Sequence, residues 1–138
     1  MRRKLKIVVD TNVLLVSISS RSQYHWLFQG LLQGRFQSVI TNEILMEYEE
    51  IISRKYSVPV AKNVIRTLLL LANVDKIDVF YNWSLILNDI DDNKFVDCAI
   101  AANADFIVSH DKDFRVLKRI EFPKVRVIDT ETFFSEVE

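Results

Sequence analysis

Glycine and proline are scarce, with two of each in 138 residues. That leaves little material for a flexible linker, a collagen-like tract or a glycine-rich phosphate loop, and neither a low-complexity block nor an internal repeat appears. The single cysteine, Cys98, excludes an internal disulfide framework and a cysteine-rich zinc site, and it fits a reducing compartment. Two histidines cannot build a histidine-rich metal centre. An excess of one charge is also lacking: 18 Lys and Arg oppose 19 Asp and Glu, for a net charge of −1. That balance argues against the strongly basic footprint of a constitutive DNA coater, and any nucleic acid must be gripped locally. The longest apolar run, Leu68-Leu69-Leu70-Leu71-Ala72, falls far short of the roughly 20 residues of a membrane span. The basic start Met1-Arg2-Arg3-Lys4 is followed by an apolar run that stops at Asp10, too early for a secretory signal. A cytoplasmic protein is expected.

Apolar residues make up 49% of the chain and charged residues 27%, enough for a sizeable core, and the length suits one domain over 1–138. Short β-branched or apolar runs at 5–9, 39–40, 106–108 and 125–128 predict buried strands. Helical spacing of apolar residues is clearest at 43–55, with Thr41 or Asn42 as N-cap. It recurs at 26–32, 61–72, 93–102 and 132–137. Strands alternating with helices predict an α/β domain with a mainly parallel sheet and right-handed crossovers.

Ligands of open α/β sheets bind beyond the carboxyl ends of the strands, and acids recur there. Val8-Val9 runs into Asp10, and Ile107-Val108 into Ser109-His110-Asp111. On a helical wheel Asp92 falls within the inward arc of Phe95, Val96 and Ala99, whereas Asp97 lies on the side away from it. Glu47 and Glu49 flank the apolar stripe of the 43–55 helix on opposite sides, and the wheel does not choose between them. Carboxylates gathered at one edge repel one another unless a cation lies between them. Oxygen donors without Cys or His select Mg²⁺ or Mn²⁺ over zinc, which suits metal-assisted hydrolysis of a phosphodiester.

Four segments then carry a resemblance: Ile7-Val8-Val9-Asp10-Thr11-Asn12-Val13-Leu14, Asn42-Glu43-Ile44-Leu45-Met46-Glu47-Tyr48, Asp91-Asp92-Asn93-Lys94-Phe95 and Ile107-Val108-Ser109-His110-Asp111-Lys112-Asp113-Phe114. In this order they closely resemble the four motifs of PIN-domain ribonucleases, in the branch described as toxins of bacterial toxin–antitoxin systems. The resemblance runs from about Ile7 to Phe134. It implies a three-layer α/β/α fold, related to 5′-nuclease domains, and an endoribonuclease that uses one or two Mg²⁺ or Mn²⁺ ions. It implies a catalytic pocket of Asp10, Glu47, Asp92 and Asp111, and so selects Glu47 over Glu49. Asp10, Asp92 and Asp111 would hold the metal, while Thr11, Asn12 and Ser109 would orient the loop, a carboxylate or the substrate. Ser109 stands where the family more often has Thr, and His110 where it more often has Gly. Asp97 and Asp113 are weaker, supporting candidates. The implied partners are an RNA substrate, with single-stranded DNA as an alternative, a cognate antitoxin protein and a second copy of the chain in a homodimer.

Plainer readings stand beside these. Asp10 and Asp92 are both suited to helix N-caps, Glu47 to a solvated helix face, and Asp129 to capping the last helix. Arg2, Arg3, Lys4 and Lys6 form either a solvated end or an RNA contact, His25 and Cys98 read as structural, and Tyr24, Trp26, Phe28 and Phe36 as core or dimer-surface aromatics. A phosphatase of the haloacid dehalogenase type needs an acid two positions after its nucleophile, where this chain has Asn12; a receiver needs an acid at the end of a middle strand, where Val39-Ile40-Thr41 offers none. The remaining alternative is a non-catalytic PIN-fold module that binds RNA or protein, for which loss of the acids is expected.

Overall fold

The computed structural model describes residues 4–137. Five strands form one parallel sheet: β1 (Lys6–Val9), β2 (Gln37–Ile40), β3 (Val74–Lys76), β4 (Phe106–Val108) and β5 (Val127–Ile128), in the spatial order β3-β2-β1-β4-β5. Ile7, Val8 and Val9 are all at most 2% exposed, so both faces of β1 are covered, as a parallel sheet between helical layers requires. This is the expected three-layer α/β/α arrangement. The chain builds outward from β1 to β3, then returns to place β4 on the other side of β1. The strand order therefore reverses between β1 and β4, where such sheets open a crevice.

The helices are α1 (Thr11–Ile18), α2 (His25–Leu32), α3 (Asn42–Lys55), α4 (Val58–Leu70), α5 (Asn93–Ala102) and α6 (Thr130–Val137), with two 3₁₀ segments, Ile90–Asp92 and Lys112–Arg119. Helix α3 has the expected start: Thr41 Oγ1 accepts from Ile44 N at 3.2 Å, with Glu43 in the first turn and Arg54 and Lys55 in the last. It buries Ile44, Leu45, Tyr48 and Ile52. Ser57 caps α4, which carries a proline in its first turn and so begins three residues before the periodicity at 61–72 suggests. Asp129 Oδ1 accepts from Thr132 N at 2.7 Å, so this acid caps the last helix as expected.

Sequence periodicity missed α1 and β3. Helix α1 is apolar nearly all round, so no amphipathic period marks it, and β3 is a short edge strand with Asp75 and Lys76 in place of an apolar alternation. Residues Arg2 and Arg3 of the basic N-terminal cluster lie outside the described residues. Lys6 sits at the start of β1, opposite the end that carries Asp10, and its Nζ donates to Ala102 O at 3.2 Å. Phe36 is buried against Phe133, ring centroids 5.0 Å apart, and Trp26 packs on Phe133 and Phe134. His25 Nδ1 lies 2.9 Å from Ser17 O, and burial pushes the Cys98 thiol up to about 12, so both are structural, as expected. No helix among the described residues is long and apolar enough to cross a membrane.

Asp97 corrects the wheel: it is 6% exposed, because the irregular segment 77–89 folds over the helix face that the periodicity leaves outside. Its Oδ1 accepts from Trp83 N at 3.0 Å, while Asn93 exchanges two hydrogen bonds with the Ile86 backbone, 2.8 and 2.9 Å, and Ile86 is buried. Burial raises the Asp97 carboxyl pKa and the Trp83 hydrogen bond opposes it. Asp97→Ala is expected to cost about 1–3 kcal/mol in denaturant unfolding. Amide exchange should quicken over 77–89 and stay unchanged in β1 and β4; unchanged exchange at 77–89 would remove this anchoring role.

Candidate functional site

The acids converge where the strand order reverses. Val9 pairs with Val108 in parallel register, so Asp10 and Ser109 leave the sheet side by side. Asp10 N donates to Val108 O, and Ser109 Oγ donates to Asp10 Oδ2 at 2.7 Å. The same hydroxyl oxygen accepts from Asp111 N at 2.9 Å, so one buried serine ties both loops together. Neither Asp10 nor Asp92 makes a side-chain cap bond, although each occupies the N-cap position of a helix. Capping does not account for the Asp92 carboxylate, and the Asp10 carboxylate accepts from Ser109 Oγ and from the Thr11 backbone.

Asp92 ends the 3₁₀ turn Ile90–Asp92. Because side chains three apart eclipse in a 3₁₀ turn, Asp89 and Asp92 share one side while Asp91 is exposed. Asp89, Asp92, Asp111 and Asp113 each bring a carboxylate oxygen within 4.8 Å of the others. Asp89 was invisible to the motif reading, which begins at Asp91; the signal available was the acid three residues before Asp92. Asp10 stands beside this group: its burial raises its carboxyl pKa against the Ser109 hydrogen bond, with Asp111 and Glu47 adding repulsion. Burial, together with Asp111, Asp89 and Asp10, pushes the Asp92 carboxyl up to about 8.

Glu47 faces this site from α3, half-buried, whereas Glu49 is exposed. Thr11 Oγ1 donates to Glu47 Oε2, and Lys94 Nζ donates to Oε1 at 2.7 Å and to Asp91 O at 2.8 Å. Lys94, a residue of the third motif with no role implied by the resemblance, is 13% exposed and brings a positive charge beside the acids. Tyr48, one residue further on, donates from its buried hydroxyl to Val9 O and pins α3 to the end of β1. Asn12 is exposed and lines a cleft of about 240 Å³ with Asp10, Val13, Tyr24, His110 and Asp111. Positive φ at non-glycine residues is confined to Ser84 and Asn103 among the described residues, so His110 replaces a glycine without strain. Its Nε2 lies 2.9 Å from Thr130 Oγ1, which moors the loop to α6. Asp97 is engaged by the 77–89 segment and lies outside the acid group.

Asp92 Oδ2 is buried with no hydrogen-bond partner. An orphaned carboxylate oxygen among three further acids is costly, and a divalent cation removes that cost by ligation. The all-oxygen donor set fits Mg²⁺ or Mn²⁺.

No curated protein matches the chain. The fold is similar to a chain in the crystal structure of VapBC2 from Rickettsia felis bound to a DNA fragment from their promoter, at 19% identity and TM-score 0.62, covering 91% of this chain and 98% of that one. It is also similar to a chain of DNA-bound VapBC from Salmonella typhimurium, at 16% identity and TM-score 0.56, with the same coverage of 91% and 98%. The PIN domain model matches residues 6–113, which hold both strand ends, α3 and the acids described above, and the chain belongs to the PIN domain family.

Proposed function

We propose that the chain is a metal-dependent endoribonuclease that hydrolyses RNA phosphodiester bonds, acting in the cytoplasm as a toxin neutralised by a cognate antitoxin. The observation that carries the hydrolytic reading is the buried, unpartnered Asp92 Oδ2 inside a group of four carboxylates at the crevice between β1 and β4. Asp10, Asp92 and Asp111 are the proposed metal ligands; Asp92 and Asp111 stand within 4.8 Å of Asp89 and Asp113, while Asp10 lies outside that group of four and is tied to it through Ser109 and Asp111. A bound Mg²⁺ or Mn²⁺ ion supplies positive charge to a phosphodiester and makes water a better nucleophile beside it. Ser109 keeps the Asp10 carboxylate aimed, and Thr11 and Lys94 hold Glu47 at the far side of the site. Asn12, exposed in the adjoining cleft, is placed to donate to a phosphate or to ordered water. The acids argue against the non-catalytic alternative, which has no use for mutually repelling buried carboxylates.

The test is cleavage of a labelled mixed-sequence RNA, and of single-stranded DNA of the same sequence, in Mg²⁺, Mn²⁺ or EDTA. RNA cleavage with either metal and none in EDTA is expected; cleavage of neither strand would transfer the proposal to the binding module. Motif resemblance to the toxin branch and the fold likeness to VapBC chains support the antitoxin half. A small protein encoded alongside that binds the chain and stops cleavage is the expected partner, and its absence would remove that half alone.

A further inference from the structure

The segment Lys112–Arg119 is a 3₁₀ helix eight residues long, whereas such runs rarely exceed three or four. Its sequence has the matching period of three. Phe114, Leu117 and Ile120 form one row, buried or partly buried against the core. Lys112, Arg115 and Lys118 form another, and all three are exposed. Residues three apart eclipse in this geometry, and each turn advances about 6 Å, so the three cations stand in file along one side.

That file lines a cleft of about 470 Å³ whose other wall is Ile128, Asp129 and Thr132, and whose near end is Ser109 and Asp111. Asp111 Oδ1 accepts from Asp113 N at 2.9 Å and so starts the 3₁₀ run; the same residue belongs to the acid group and to the cleft. None of the three cations has a side-chain hydrogen bond or ion pair among the described residues. Elsewhere Lys94 pairs with Glu47 and Arg54 with Glu50, Arg126 lies over the Phe106 ring, and, among the described residues, Lys62, Arg66 and Lys76 are without such partners too. Asp129, the other acid of the cleft, already accepts from the backbone of α6.

We propose that Lys112, Arg115 and Lys118 form a phosphate track that seats successive phosphodiesters of a single nucleic-acid strand on one side of the scissile bond. The acid group repels a polyanion, and a chain with net charge −1 offers no general attraction, so a strand must be drawn in locally. The spacing of the row, one cation per turn, is comparable to the interval between neighbouring phosphates, and the track ends on the residue that borders the acids. The contacts are to backbone, so they position the strand without reading its bases.

The proposal rests on the nuclease reading, and binding separates the two. A fluorescein-labelled single-stranded RNA is titrated in EDTA, across a salt series, against the wild type, K112Q/R115Q/K118Q and a control, K62Q/R66Q/K76Q, whose three exposed cations lie on α4 and β3 away from the β5 edge. The track variant is expected to bind at least 10-fold more weakly, with the salt slope reduced by about 2, and the control to match the wild type. K112R/R115K/K118R is expected to restore binding, because charge and not side-chain shape is required. Equal binding and equal slope for track and control variants would overturn the track, whatever the cleavage result. Loss of RNA binding in the track variant of a chain that cleaves nothing would support the track and remove the nuclease. RNA binding retained while binding to a polyglutamate peptide is lost would overturn it in favour of an acidic polypeptide.

Discussion

Asp10→Asn and Asp92→Asn are each expected to lower metal-dependent RNA cleavage by at least about 100-fold, the upper range seen when even an indirect support of a metal ligand is lost. Asparagine keeps the volume and one acceptor oxygen but removes the charge that holds a cation. Ser109→Ala should fall between these variants and the wild type, losing roughly 10-fold, because Asp10 keeps its carboxylate while losing the hydroxyl that aims it. Initial rates on the same labelled RNA, in a Mn²⁺ titration, separate the cases. The serine variant should recover as Mn²⁺ is raised, and the aspartate variants should not. Full activity in both aspartate variants, still abolished by EDTA, would move the metal away from these acids.

In EDTA the wild type is expected to lose stability as pH rises. The Asp92 carboxyl is raised from 3.8 to about 8 in the folded chain, so across that interval the native state holds a proton that the unfolded state has released. A group of this kind contributes stability fully below the unfolded value, and that contribution is lost as pH climbs through the folded one. Each unit of displacement corresponds to about 1.4 kcal/mol, so the fall is on the order of a few kcal/mol, or roughly 5–15 °C in Tm for a chain of this size. Asp10 and Asp97, both raised mainly by burial, act in the same direction; Asp129, lowered by its hydrogen bonds to Thr132, acts in the opposite one. Thermal melts at pH 5 and pH 8 check this. Asp92→Asn should melt higher than the wild type at pH 8 in EDTA, and added Mn²⁺ should raise the wild type far more than the variant. A wild-type Tm that rises between the two pH values in EDTA would show that the repulsion among these acids does not govern stability. A melt of Asp92→Asn no lower than the wild type under the cleavage conditions separates loss of the metal site from unfolding.

The alternation of short β-branched runs with amphipathic helices was enough to read a parallel α/β sheet, since buried parallel strands must be apolar on both faces, and Ile7, Val8 and Val9 are. Asp10 and Ser109-His110-Asp111 were legible as neighbours for the same reason: each directly follows an apolar strand, and parallel strands deliver their carboxyl ends to one edge. The helical wheel did not choose between Glu47 and Glu49, because both flank one stripe of α3; the motif resemblance pointed to Glu47, and the packing of α3 beside α1 leaves Glu47 against Thr11 and Lys94.

Other features depend on contacts that no local pattern encodes. Asp97 looked external because a helical wheel records one helix and knows nothing of a segment such as 77–89 laid over its outer face. Asp89 joins Asp92 only because the chain there takes a 3₁₀ turn, with a period of three instead of 3.6. Lys112, Arg115 and Lys118 line up for that same reason. The sequence by itself determined the class of fold, the strand ends that carry acids and the chemistry those acids can support, because side-chain type and local periodicity set them. Tertiary structure alone decided that Asp89 and Asp113 join Asp92 and Asp111, that Asp97 is spent on anchoring a loop, and which oxygen is left without a partner, because those outcomes depend on distances between segments far apart in the chain.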